Sequence, residues 1–86
     1  MNKGEFGILV TEHKGLIIYQ LAPKGRLLGS DLSAPDIVGE AYEANPDIIA
    51  VPVARLAPSF LDLRTRMAGE VFQKMEQYGR RLVIFG

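Results

Sequence analysis

Apolar residues in this chain gather in short blocks, some continuous and some spaced at three and four, as strands and amphipathic helices require. Residues 6–10 (FGILV) and 16–21 (LIIYQL) are rich in strand formers and flank the polar stretch 11–15, which closes on Gly15. A glycine there can take positive φ, so the two runs predict a β-hairpin turning across residues 11–15. Pro23, Lys24 and Gly25 break the second run, and residues 26–28 read as a short edge strand or plain loop. Ser33, Pro35 and Asp36 then spell a helix start. Ser33 caps the first turn, Asp36 closes a capping box, and Pro35 needs no intrahelical partner so early. Ile37, Val38, Ala41 and Tyr42 continue at helical spacing until Asn45 and Pro46 stop the helix. Residues 48–53 (IIAVPV) are continuously apolar, the pattern of a strand covered on both faces, although Pro52 must interrupt pairing on one side. Met67, Ala68, Val71, Phe72, Met75 and Tyr78 make an apolar stripe on a helix of about four turns. Gly79 ends that helix, and residues 82–85 (LVIF) form a last buried strand.

The order hairpin, helix, strand, helix, strand predicts a small α/β domain over residues 1–86, its sheet carrying helices packed on it. Right-handed crossovers place residues 48–53 centrally. A chain this size buries roughly 60–65% of the surface its unfolded form exposes, so one modest core is all it can build.

Charge narrows the partners. Ten basic residues balance ten acidic ones, and Arg80 with Arg81 is the single adjacent basic pair. Without a basic stripe, electrostatic binding to nucleic acid or an anionic membrane is not expected. There is no cysteine, which excludes disulfides, thiolate catalysis and cysteine-metal sites and fits a reducing cytoplasm. The N-terminal residues lack a signal-peptide apolar region, and the longest apolar run, residues 48–54, is too short to span a bilayer. No glycine-rich phosphate loop and no metal-ligand spacing occurs, so no cofactor or metal is expected.

Ligands of open α/β sheets bind beyond the carboxyl ends of the strands, which makes residues 54–66 the leading site. Asp62 has two readings there: a cap for the following helix, or an anchor for a ligand amine, a hydroxyl or a partner arginine. Arg55 and Arg64 can share an anion only if the loop folds back; otherwise both are solvated. Arg64 and Arg66 are two apart and point to different sides of a helix, whereas Arg66 and Glu70 are spaced for a surface pair. Ser59 and Thr65 supply hydroxyls without a base, since the one histidine, His13, falls in the hairpin turn. Acid–base catalysis wants two groups with separated pKa values in one cleft, and Asp62 is the one candidate.

The stretch Pro58-x-Phe60-x-Asp62-Leu63-Arg64-Thr65, then Ala68-Gly69-Glu70, Gln73-Lys74 and Tyr78, resembles a bacterial family of unknown function, number 4180. Gly39 to Tyr42 and Val51 to Leu56 resemble its middle segment. That family is similar in layout to STAS domains of the anti-sigma-factor-antagonist type, which implies a regulatory or binding role. In those regulators the phosphorylated hydroxyl directly follows the loop aspartate. Here Leu63 and Arg64 follow Asp62 and the nearest hydroxyl is Thr65, so phospho-switching is not carried over. Both groups continue past the strand at residues 82–85, which implies either truncation or a strand left open to a partner.

Two functions follow. The first is a non-catalytic regulatory or protein- or ligand-binding module using Arg55, Ser59, Phe60, Asp62, Arg64, Thr65 and Glu70, and self-associating as a homodimer. The second is a small-ligand-binding protein or enzyme built on Asp62 and its neighbouring arginines. A third option places the function in a missing C-terminal portion. A pocket beside Asp62 marks the enzyme; a flat or convex loop rimmed by Phe60, Leu61 and Leu63 marks the docking module.

Overall fold

A computed structural model describes residues 8–86; Phe6 and Gly7 of the expected first strand lie outside them. Strand β1 (Leu9–His13) pairs antiparallel with β2 (Leu16–Gln20), from Leu9↔Gln20 to His13↔Leu16. The turn is thus shorter than the sequence suggests, and His13 ends a strand instead of sitting in a loop. Lys14 and Gly15 alone make it, with φ of +53° and +84°. Two positive φ values in a two-residue loop mark a type I′ turn, whose twist suits the flanking strands. The polar residues 11–13 extend β1 because it is an edge strand with its side chains largely in solvent.

Helix α1 (Ala34–Glu40) starts as its capping box dictates: Ser33 Oγ accepts the Asp36 N–H at 3.3 Å and the Asp36 carboxylate accepts the Ser33 N–H at 2.9 Å. It stops sooner than its apolar spacing suggests. Residues Tyr42–Ala44 form a 3₁₀ turn, Asn45 takes a left-handed conformation, and Tyr42 is 72% exposed instead of facing the core. Strand β3 (Ile48–Pro52) runs parallel to β2 on one side and to β4 (Arg81–Phe85) on the other. Pairing with β2 ends at Gln20↔Ala50, where Pro52 has no N–H to continue it. Between β3 and β4 lie a 3₁₀ turn (Val53–Arg55), the short helix α2 (Pro58–Leu61), a second 3₁₀ turn (Leu63–Thr65) and helix α3 (Met67–Gln77). At 11 residues, α3 makes about three turns, one fewer than expected.

The described residues therefore form a small α/β domain with one mixed sheet, in the order β1-β2-β3-β4, and three helices. Tyr19, Leu21, Ile49, Val51 and Leu82 meet Ile37, Ala41, Val71 and Met75 in one cluster, so α1 and α3 cover the same face of the sheet. Truncating Met75 to Ala in this core should cost about 2–5 kcal/mol. The opposite face is a departure from the expected double cover: Leu9, Leu16, Val83 and Phe85 stand exposed there. Ala50 and Pro52 on that face are nonetheless buried. Among the described residues no helix is long and apolar enough to cross a membrane.

Candidate functional site

The chain leaves the carboxyl end of β3 into a frame tied to the β2–α1 connection. Leu28 N–H donates to Arg55 O at 2.7 Å and Ala57 N–H donates to Leu28 O at 2.9 Å. Arg55 turns inward and is only 7% exposed. Its Nε donates to Arg26 O at 2.6 Å, and its Nη1 to Ala22 O at 2.9 Å and Lys24 O at 3.3 Å. This overturns the solvated reading of Arg55, and equally a shared anion site with Arg64. Pro23 and Gly25 interrupt the chain after β2, leaving carbonyls without a strand partner, and the planar guanidinium collects them. Gly25, at φ +144°, lies so close that a Cβ there would sit 2.8 to 3.0 Å from the guanidinium atoms.

Asp62 does not cap α3. It follows the last residue of α2, and its Oδ1 accepts the Arg64 N–H at 3.0 Å, which starts the 3₁₀ turn. The Arg64 side chain closes on the same carboxylate, Nε to Oδ1 at 3.1 Å and Nη2 to Oδ2 at 2.9 Å. The Arg64 guanidinium, and then its backbone N–H, hold the Asp62 carboxyl below its usual range, and the carboxylate in turn raises Arg64. A carboxylate so held is a weak base at neutral pH. The α3 cap position falls to Arg66, at φ +58° and without a side-chain cap. Thr65 supplies the missing acceptor, taking the Met67 N–H at 3.1 Å, while its hydroxyl lies 2.6 Å from Ser59 O and 2.8 Å from Asp62 O.

The remaining residues divide between frame and surface. Ser59 Oγ donates to Gly29 O at 3.1 Å, and Phe60 is buried against α3, its ring 6.4 Å from that of Phe72. Phe60 therefore anchors the loop and cannot rim it. Leu61 is exposed, as is the Arg64 side chain. Glu70 meets Arg66 only through a helical backbone bond, its N–H to Arg66 O at 3.1 Å, and lines a groove of about 330 Å³ with Ser33, Pro35, Met67 and Lys74. A second groove of about 410 Å³ lies at the other end of the sheet, between Asp47, Glu76, Arg80 and Arg81. Neither groove is lined by Asp62, Arg64 or Thr65.

Sequence reasoning missed the carbonyl cluster of Ala22, Lys24 and Arg26 and its arginine. The break at Pro23 to Gly25 was the one available signal, because it leaves acceptors that something must satisfy. In architecture the described residues form a two-layer α/β domain whose segment after the third strand is tied back to the β2–α1 connection. The chain belongs to the family described as Domain of unknown function (DUF4180), which matches residues 13–86. That match bears out the family resemblance carried by the stretch from Pro58 to Tyr78. No curated protein and no solved structure gives a significant match.

Proposed function

We propose that this domain is a non-catalytic regulatory or binding module of STAS-like layout, which meets a protein or small ligand through residues 54–66. The observation that carries the reading is a loop rigid underneath and presented on top. Arg55, Ser59 and Thr65 fix it to the body, while Leu61 is 60% exposed and the Arg64 side chain 90% exposed. An apolar residue beside a preset guanidinium–carboxylate pair suits recognition, since little conformational freedom is lost on docking. The hairpin, helix, strand, helix, strand order, with the aromatic–aspartate loop after β3, supports the STAS-like layout. A cysteine-free chain supports a cytoplasmic setting, in a bacterium as the family resemblance implies.

The test is affinity capture from the native host with wild type and with Leu61→Ser, Asp62→Ala and Arg64→Ala. Glu12→Gln, on the exposed edge strand, is the control. Binders retained by the control and lost by the loop variants are expected. Equal recovery by all the variants overturns the reading.

A further inference from the structure

We propose that a second copy of this chain adds to the open edge of β4, antiparallel and across a twofold axis through Val83. This rests on the edge strand and not on residues 54–66, so either reading can fail alone.

In a parallel ladder the N–H and C=O of one residue point to the same neighbour, and successive residues alternate sides. Arg81 N–H donates to Asp47 O at 2.9 Å, so Arg81, Val83 and Phe85 address β3. Leu82 and Ile84 consequently turn their backbone groups the other way. The sheet order puts β4 at the edge, and among the described residues no strand pairs with that side. Proteins guard such edges with charges, prolines or bulges. The opposite edge, β1, carries Thr11, Glu12 and His13; β4 reads RLVIF, with its one charge at the first position.

The edge is self-complementary in one register. With Val83 opposite Val83 of the second copy, Leu82 faces Ile84 of the second copy in both directions. Those two pairs use every outward N–H and C=O of the strand in four hydrogen bonds. Sliding the copies until Leu82 faces itself calls on Arg80, whose N–H is already given to Met75 O at 3.0 Å. Sliding until Ile84 faces itself calls on Gly86, whose φ of +102° has left extended geometry. In the favoured register the open sheet face continues from copy to copy. Val83 (40% exposed) meets Val83, and Phe85 (38% exposed) lies opposite Arg81. The strand's charge thus meets an aromatic ring and not another arginine. One five-residue strand with its flanking side chains is a small interface, under about 1,200 Å² in total, so the dimer forms at micromolar concentration.

The chain has no cysteine, so Val83→Cys introduces a unique thiol. Residues facing each other in a non-hydrogen-bonded antiparallel pair have Cα atoms about 4.5 Å apart, inside the range a disulfide spans. Mild oxidation at micromolar protein should give a covalent dimer, and Thr11→Cys, on the same sheet face at the far edge, should not. Ile84→Pro deletes an outward N–H that an edge strand can spare, and with it two of the four bonds. Its dissociation constant by light scattering should rise at least about tenfold. Val83→Lys sets two ammonium groups face to face and should abolish the dimer, with melting unchanged at concentrations where the wild type is itself monomeric. Three results each overturn the proposal: a wild type monomeric throughout the micromolar range, Val83→Cys cross-linking no faster than Thr11→Cys, or a dimer that survives Val83→Lys.

Discussion

Replacing Arg55 by Met keeps the length and apolar stem of the side chain and removes the guanidinium. Three hydrogen bonds are lost, to Ala22 O, Lys24 O and Arg26 O. The Ala22 carbonyl is buried, so its charge-assisted bond is worth about 1.5–3 kcal/mol and its orphaned acceptor cannot turn to water. The other two bonds are partly buried, and water can replace them at about 0.5–1 kcal/mol each. Toward the lower end of these ranges the sum is about 3 kcal/mol, against a total stability of roughly 4–13 kcal/mol for a chain of 86 residues. Melting should fall by about 12–24 °C in calorimetry, and the urea midpoint should drop with an unchanged slope. Arg55→Lys should recover less than half, because one ammonium cannot reproduce the planar fork. Arg64→Met is the internal comparison: its side chain is exposed and its ion pair is worth less than about 1 kcal/mol, so its melt should fall by no more than a few degrees. If Arg55→Met and Arg64→Met melt together, the reasoning about the buried guanidinium is wrong.

Gly25→Ala forces a Cβ to within 3.0 Å of the Arg55 guanidinium at φ +144° and should destabilise by about 1–3 kcal/mol in urea melts. In an Arg55→Met background the same change should do less damage, and strict additivity would count against the contact. Ser33→Ala removes the cap of α1 and should cost about 1 kcal/mol, read from the same melts. Asp36 is held below its usual range, chiefly by the Ser33 N–H, and Asp62 by Arg64. A carboxylate depressed in the folded state stabilises fully above its unfolded value, and that gain is lost as pH falls through its folded value. The urea midpoint should therefore be flat down to about pH 5 and decline below, less steeply in an Asp36→Asn, Asp62→Asn double variant.

Most of the scaffold could be read from local chemistry. The capping box at Ser33 and Asp36, the apolar block at β3 and the stripe on α3 each encode their element within a few residues. The errors fall where a residue's environment is set by its neighbours in space and not by the pattern around it. Residues 11–13 look like a turn because both faces of an edge strand meet solvent, so no alternation marks them as strand. Asp62 reads as a helix cap by position, yet α3 starts later, because the Thr65 hydroxyl ties Ser59, Asp62 and Met67 together and creates an extra turn. Arg55 looks solvated in sequence, since the carbonyls that bury it come from about 30 residues away. Phe60 reads as a rim residue because nothing in its own stretch shows that helix α3 folds over it.

The pair of backbone bonds joining Leu28 to Arg55 and Ala57 has a dynamic consequence. Amide protons in a surface loop ordinarily exchange through small local openings, well before the domain as a whole unfolds. The Leu28 and Ala57 amides are instead sealed by a link between the two sides of the molecule, at 2.7 and 2.9 Å. Freeing either one requires prising the β2–α1 connection off the end of β3. In hydrogen exchange these two protons should keep time with the core strands, making the segment that carries the proposed surface among the slowest parts of the molecule to open.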